Sequence, residues 1–206
     1  SEAGTIALER GRYGCADTVE VEVVDCDLNL DGNALETTSV TVYSSADAVG
    51  ESVLLTETGV STSRFRGTVA LTTLVVVGQV TVAAGGTLGA RYIDADDGAG
   101  GTDVEVLDTA AIDCAPPAVL AVSITNVAHD SAEVTVLCDE PCVVAVSYGT
   151  SCAATPITRT SEGLATSATV TLTGLQPATT YFFEVRARDE ASNETLADNG
   201  GLCYAF

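Results

Sequence analysis

The 206-residue sequence contains no lysine, no methionine and no tryptophan, and its single histidine is His129. Without lysine, Schiff-base catalysis and lysine–asparagine isopeptide cross-links are excluded, since both need a lysine amine. One imidazole leaves little basis for a histidine-based catalytic site or a zinc centre. Because no methionine is present and the sequence begins with serine, we expect that a leader peptide has been removed.

Basic side chains are also scarce: eight arginines face 29 acidic residues, and the formal net charge is −21. This balance argues against a nucleic-acid partner, because phosphate binding needs a basic surface. Hydrophobic residues nevertheless make up 46% of the chain. Intrinsic disorder is therefore not expected, since it requires high charge together with low hydrophobicity.

No charge occurs between Gly67 and Ala90, but threonine, glutamine and glycine interrupt this stretch. A membrane-spanning helix needs about 20 consecutive apolar residues. We therefore predict two strands with a turn near Gly78–Gln79, and no membrane insertion. The run Leu74–Val77 would place apolar side chains on both faces of a strand. We expect a second layer of the same domain, or else another subunit, to cover it.

Short alternating runs of apolar and polar residues predict an all-β fold. Between Val19 and Val23 every second residue is valine, with glutamates between them, as in a strand with one buried face. Pro116-Pro117 would interrupt a strand and stiffen a joint between two sets of such runs. The sequence therefore predicts two β-sandwich domains in tandem, residues 1–113 and 114–206.

The second domain carries the more specific pattern, L-x-P-x-T-x-Y at 175–181. It resembles the corner between two strands of fibronectin type III domains. In that family the tyrosine packs into the core and hydrogen-bonds back across the corner. The sequence departs from the family in lacking the core tryptophan, whose position Val136 occupies. The strands predicted for this domain are 119–125, 132–138, 142–148, 167–172, 181–188 and 202–206.

The first domain contains several short polar segments near predicted strand ends. They are Tyr13-x-Cys15-x-Asp17-Thr18-Val19, Asp25-x-Asp27-Leu28-Asn29, Thr56-Glu57-Thr58-Gly59, Tyr92-x-Asp94-x-Asp96-Asp97-Gly98 and Asp113-Cys114. Together they resemble the immunoglobulin-like modules that precede fibronectin type III domains in large secreted or cell-surface bacterial proteins, often behind a peptidase domain. The resemblance implies a non-catalytic, extracellular module.

Two dense groups of oxygen-bearing side chains lie in the first domain. The first consists of Asp25, Asp27, Asn29, Asp31 and Asn33, and the second of Asp94, Asp96 and Asp97 followed by a glycine-rich turn. In an extended chain, residues two apart point to the same side. Calcium takes six to eight oxygen ligands, so we expect the two loops to meet at one pole and bind it. The alternative is that both loops are simply solvated.

Two further groups of residues have some features of a metal site. The first group imitates the start of an EF-hand, but its twelfth position is Thr38 rather than glutamate, so an EF-hand is rejected. A weaker candidate in the second domain comprises Asp189, Asn193, Asp198 and Asn199. Turn formation explains these residues equally well. Asn193-Glu194-Thr195 is also a glycosylation sequon.

Seven cysteines in a short acidic chain predict an oxidising, extracellular compartment with disulfides. Cys15 and Cys114 lie at the same predicted pole of the first domain, so we expect them to pair. One bond is expected among Cys138, Cys142 and Cys203, without a choice between them. Cys26 and Cys152 lie at opposite far ends of the two domains. They either form an intermolecular bond between head-to-tail neighbours or stay small buried residues, unless Cys26 pairs elsewhere.

No catalytic constellation is predicted. His129-Asp130-Ser131 are adjacent residues on a turn, whereas a triad is defined by convergent geometry. We expect a non-catalytic extracellular structural or adhesive protein that is stabilised by calcium and self-associates, for example as a head-to-tail filament or a surface layer. The alternatives are an accessory module released from a secreted peptidase, and a carbohydrate- or adhesin-type module that binds polysaccharide or other surface proteins.

Overall fold

The structure is a computed structural model, and it describes residues 2–206. The chain divides into two compact units, a first domain that ends at Cys114 and a second domain, Ala115–Phe206. The division lies one residue from the predicted boundary. Both domains are built from β-strands, as predicted from the alternating sequence. No helix among the described residues is long and apolar enough to cross a membrane.

The first domain is a nine-stranded sheet with one 3-10 turn, Cys26–Leu28. Its strands are β1 (Thr5–Leu8), β2 (Arg12–Tyr13), β3 (Thr18–Val24), β4 (Thr37–Ser44), β5 (Glu51–Glu57), β6 (Arg64–Thr72), β7 (Gln79–Thr81), β8 (Thr87–Asp94) and β9 (Val104–Ile112). Their order is β1-β3-β6-β5-β4-β8-β9-β2, with β7 beside β6. Because β1 also lies against β8 and β9, the sheet curves back on itself and encloses one core.

Alternation along the strands decides which side chains fill this core. Val19, Val21 and Val23 are fully buried, together with Leu55 and Phe65 from neighbouring strands. On the outer face of the same region, glutamates of β3 form ion pairs with arginines of β6. The period-2 pattern thus separates an apolar interior from a charged exterior.

The run Leu74–Val77 is an exposed loop between β6 and β7, so the prediction of a strand covered by a second layer is wrong. Val75 and Val77 are 94% and 99% exposed. The turn predicted near Gly78–Gln79 is present at residues 77–78, but the strands on either side of this connection, β6 and β7, pair in parallel. Parallel neighbours cannot be joined by a tight turn. The apolar residues therefore belong to the connection, and the core is filled instead by Val80 and Val82.

The second domain contains seven strands. They are β10 (Val119–Thr125), β11 (Ser131–Gly149), β12 (Ile157–Thr160), β13 (Ala165–Thr173), β14 (Phe182–Arg188), β15 (Glu194–Ala197) and β16 (Tyr204–Ala205). The predicted strands 132–138 and 142–148 are two halves of the single strand β11. Its first half pairs with β10 and β13, and its second half with β12 and β14. The register shifts between Leu137 and Cys142, where one bent strand passes from one sheet to the other.

The corner at 175–181 has the geometry that the resemblance implies. Tyr181 is buried, and its hydroxyl oxygen accepts a 3.0 Å hydrogen bond from the backbone amide of Gln176. Leu175 is buried beside it, and Val136 lies fully in the core. The aromatic rings of Tyr181 and Phe206 stack with centroids 5.8 Å apart, which adds to the packing of this end of the domain.

Three disulfides join Cys15 to Cys114, Cys138 to Cys142, and Cys152 to Cys203. The first is the pair expected in the first domain, with Cα atoms 5.1 Å apart. The second is the one bond expected among three candidate cysteines. Cys26 is an exposed free cysteine, not a buried residue.

The prediction that Cys152 is left for an intermolecular bond with Cys26 is wrong, since Cys152 is bonded to Cys203. The reason lies in strand pairing that the spacing of cysteines does not reveal. The first residues of β14 pair with the end of β11 on one side and with β16 on the other. Cys203, just before β16, therefore lies beside the turn that follows β11, and its Cα atom is 5.8 Å from that of Cys152.

Candidate cation-binding site

One end of the first domain gathers its acidic loops, and we call it the acidic pole. It comprises the loops Asp25–Glu36, Glu57–Ser63 and Asp94–Asp103. Because β3, β6, β5, β4 and β8 are antiparallel neighbours in turn, the ends of β3, β5 and β8 meet the starts of β4 and β6 at this pole. The topology therefore brings the two predicted acidic groups to the same end of the domain.

Asp25 and Asp94 face inward, but the protein itself uses their oxygens. Asp25 is 3% exposed; its Oδ1 accepts from the Asp27 amide (2.8 Å) and its Oδ2 from the Tyr92 hydroxyl (2.6 Å). Asp94 is 1% exposed and accepts from the amides of Gly4 (2.7 Å) and Asp96 (3.1 Å). Both carboxylates tie strand ends together, which is a structural use of the charge.

The remaining members of the second acidic group close their own turn. Asp96 is exposed and accepts from the amide of Gly98 at 3.0 Å. Asp97 accepts from the amides of Ala99 (2.9 Å) and Gly101 (2.7 Å), and these hydrogen bonds lower the pKa of Asp97. Asp31 of the first group behaves similarly, since it is exposed and accepts from the amide of Asn33.

The expected row of same-facing oxygens is therefore wrong in its geometry. Residues 26–28 form a 3-10 turn instead of continuing the extended chain, so alternation ends at Asp25. The side-chain oxygen of Asp25 caps that turn by accepting from the Asp27 amide. Asp27 within the turn and Asn29 directly after it are partly buried, whereas Asp31 is exposed.

Four buried side-chain oxygens lack any hydrogen-bond partner among the described residues, and all four lie at the acidic pole. They are Asp27 Oδ2, Asn29 Oδ1, Glu36 Oε2 and Glu57 Oε2. No ion pair in this part of the chain joins an arginine to any of the four residues. A buried acceptor without a donor or a counter-charge is costly, so these four oxygens are the candidate ligand atoms of the acidic pole.

Glu57 is the most buried of the four residues, at 3% exposure. Its Oε1 accepts from the amides of Thr62 (2.6 Å) and Ser63 (2.9 Å), which leaves Oε2 unpartnered. Burial raises the pKa of Glu57, but backbone hydrogen bonds, chiefly from Ser63 and Thr62, more than offset it and bring the pKa below its ordinary value. The side chain is thus held as a carboxylate in a buried position.

Glu36 and Asn29 are oriented in the same manner. Oε1 of Glu36 accepts from the amides of Leu30 and Asp31, each at 2.6 Å, and leaves Oε2 without a partner. Nδ2 of Asn29 donates to the Ser61 hydroxyl at 3.2 Å and leaves Oδ1 without a partner. In each case one polar atom anchors the side chain and the other has no hydrogen-bond donor among the described residues.

The carboxylates of this set stand apart from one another. Among the described residues, Asp27, Glu36 and Glu57 do not each place an oxygen within 4.8 Å of the other two. Three like charges repel, and the anchoring hydrogen bonds fix only one oxygen of each glutamate. A cation would therefore have to draw the free oxygens together.

Sequence reasoning missed Glu36 and Glu57 as site residues, although a signal for Glu57 was present. Val53 and Leu55 are buried, and Glu57 occupies the next inward position of β5. A carboxylate that continues a buried alternation needs a partner, whereas density of aspartates alone selected exposed turn residues such as Asp31 and Asp96.

The weaker candidate in the second domain is explained by turns. The buried Asp189 accepts from the backbone amide and the side-chain Nδ2 of Asn193, at 2.8 and 2.9 Å. Asp198 accepts from the amide of Gly201, and Asn199 donates to the carbonyl of Cys203. The sequon asparagine, Asn193, is thus engaged within the fold. His129 is 79% exposed, as expected for a surface turn.

No protein-family model matches the sequence, and no curated protein matches it at a significant level. Similar solved structures include the FN1-FN3 domains of chicken CNTN1 (10% identity, TM-score 0.50, 96% of this chain and 67% of that chain). A two-domain fibronectin type III segment of chicken tenascin gives 14% identity, a TM-score of 0.34 and coverage of 95% and 98%. Domains A168-A170 of titin give 14% identity and a TM-score of 0.41, and the match covers 94% of this chain and 62% of that chain.

At these identities the likeness shows the fold alone, and the fold is that of two tandem β-sandwich domains. The predicted fold class is confirmed. The bacterial and peptidase-associated setting that the first domain's segments imply stays a prediction.

Proposed function

We propose that this chain is a non-catalytic, extracellular structural or adhesive module whose first domain is stabilised by calcium. The observation that carries the calcium proposal is the concentration of unpartnered buried oxygens at the acidic pole. Calcium prefers oxygen ligands and tolerates irregular coordination, so it suits carboxylates and an amide supplied by two loops. It would also offset part of the net charge of −21.

The extracellular placement rests on the disulfides. Six of the seven cysteines are paired in three bonds, a pattern that persists in oxidising compartments. The structural or adhesive role rests on the fold shared with fibronectin type III domains, which are generally non-enzymatic modules. A fold alone does not determine function, so this assignment remains our proposal.

Carbohydrate binding is the less favoured alternative. Sugar-binding surfaces commonly use exposed aromatic rings, and the exposed large hydrophobic residues in the described part of the chain are leucine, isoleucine and valine. Self-association is better supported, because the exposed run Leu74–Val77 is an apolar surface of the kind that mediates protein contacts. The run contains no cysteine, so association through it would be non-covalent.

The calcium proposal is tested by thermal unfolding in calcium and in chelator. Calcium at one hundred times its dissociation constant would stabilise the domain by about 2.7 kcal/mol. For a domain of this size we expect chelation to lower the melting temperature by roughly 10 °C. In calorimetry we expect two unfolding transitions. Chelation should lower the melting temperature of the first domain's transition and leave that of the second domain unchanged. An unchanged melting profile in chelator would refute calcium stabilisation.

A further inference from the structure

We infer that Asp27, Asn29, Glu36 and Glu57 form a single calcium site, and that Asp94, Asp96 and Asp97 take no part in it. The inference rests on the proposed function, because it names the ligands of the cation proposed there. It replaces the aspartate-rich sets suggested by the sequence with a set chosen by burial and by unsatisfied hydrogen-bonding capacity.

The four oxygens belong to one site because hydrogen bonds link the loops that carry them. The amide of Asp25 donates to the carbonyl of Ser63 at 2.9 Å, and Asn29 reaches Ser61 of the same loop. Glu36 directly precedes β4 and Glu57 ends the adjacent strand β5, and the Glu57 amide donates to the Glu36 carbonyl at 2.9 Å. The backbone therefore places all four residues around one junction.

The inferred site requires the free oxygens to turn toward a common ion. The terminal torsions of aspartate, asparagine and glutamate side chains are broad, so a carboxylate can turn while its anchored oxygen stays near its donor. A divalent cation also removes the repulsion that keeps the three carboxylates apart. The four side chains supply part of calcium's six to eight oxygens, and water or bidentate carboxylates complete the shell.

The ligand chemistry selects calcium over the other common divalent metals. The set holds only oxygen donors, whereas zinc favours imidazole and thiolate. The nearby thiol, that of Cys26, is exposed and is not a member of the proposed ligand set, so it does not favour zinc. Magnesium keeps several waters and demands a near-ideal octahedron, which four protein oxygens on two loops do not favour.

The second acidic group is excluded because, within the described residues, none of its oxygens is buried without a hydrogen-bond partner. Asp94 and Asp97 each accept two backbone hydrogen bonds, and Asp96 faces solvent. Using both oxygens of Asp94 for a metal would break its hydrogen bonds to the amides of Gly4 and Asp96.

The test compares Glu57→Gln with the matched control Asp96→Asn in the full chain. Each change removes one negative charge and keeps the side-chain size, and glutamine can still accept from the Thr62 and Ser63 amides. Calcium binding is measured by isothermal titration calorimetry, with magnesium as the reference cation. We expect Glu57→Gln to weaken calcium binding at least tenfold, Asp96→Asn to change it less than twofold, and wild type to bind magnesium at least tenfold more weakly.

A second variant guards against misfolding of Glu57→Gln. Asp27→Asn alters a less buried ligand, and circular dichroism checks that each variant is folded. We expect Asp27→Asn to weaken calcium binding by a factor comparable to that of Glu57→Gln. If wild type binds calcium but neither ligand variant weakens it, or Asp96→Asn abolishes it, the ligand set is overturned and calcium stabilisation stands. If wild type binds no calcium, the proposed calcium role itself fails.

Discussion

The hydroxyl of Tyr92 donates a 2.6 Å hydrogen bond to Oδ2 of Asp25, and this bond joins the ends of β8 and β3 inside the acidic pole. Both residues are buried. Because Oδ1 of Asp25 accepts from the amide of Asp27, the same carboxylate also sets the start of the loop that carries three of the proposed ligands. The Tyr92–Asp25 pair therefore positions the site without belonging to it.

Replacing Tyr92 with phenylalanine removes this donor and little else. Oδ2 of Asp25 would remain buried without a partner, so we expect Tyr92→Phe to destabilise the first domain by about 1–3 kcal/mol. Tyr43→Phe is the control, since the Tyr43 hydroxyl makes no hydrogen bond within the described chain. Chemical denaturation of both variants measures the difference. Equal losses of stability in the two variants would show that the Asp25 bond contributes nothing.

The same pair predicts a response to alkaline pH. Burial, together with the hydrogen bond to Asp25 and that residue's charge, raises the pKa of Tyr92 well above the ordinary tyrosine value. Because the pKa of Tyr92 is higher in the folded state than in the unfolded state, protonated Tyr92 contributes its full stabilisation below about pH 10. This contribution is lost as pH rises further. We expect the unfolding free energy of wild type to fall more steeply above about pH 10 than that of Tyr92→Phe, by up to about 1.4 kcal/mol per pH unit. Denaturant titrations at several alkaline pH values provide the slopes, and parallel slopes would contradict the prediction.

The corner of the second domain offers an independent test. Tyr181→Phe keeps the buried ring but leaves the Gln176 amide without its acceptor. We expect a loss of about 1 kcal/mol, confined to unfolding of the second domain. Tyr204→Phe serves as the control, because the hydroxyl of Tyr204 has no hydrogen-bond partner in the described residues. A loss of stability no larger than that of Tyr204→Phe would show that the hydrogen bond between Tyr181 and Gln176 does not stabilise this domain.

The disulfide pattern predicts one titratable thiol per chain. Under denaturing conditions without reductant, a thiol-specific reagent should label Cys26 alone. The Cys26→Ser variant should incorporate no reagent. Labelling of three thiols would show that one of the three bonds is absent. Cys152→Ser should expose Cys203 to the reagent and destabilise the second domain by about 4 kcal/mol, since its bond closes a loop with a sequence separation of 51.

Much of the fold could be predicted because period-2 alternation is local. The pattern identified the buried face of β3, and the corner sequence before Tyr181 identified the second domain. Extended by one step, the alternation also places Asp25, Glu57 and Asp94 inward, which the structure bears out by their burial. The run Leu74–Val77 misled because apolar composition does not distinguish a buried strand from an exposed connection.

The sequence by itself determined that the chain is two β-sandwiches with an acidic, oxygen-rich pole, because composition and alternation act residue by residue. Only the tertiary structure decided which acidic oxygens are satisfied and which cysteines meet. Asp94 and Glu57 both reach the interior, yet backbone amides satisfy one carboxylate completely and leave an oxygen of the other free. That difference depends on the amide of Gly4, which is 90 residues from Asp94 in sequence, and only folding places this donor within hydrogen-bonding distance.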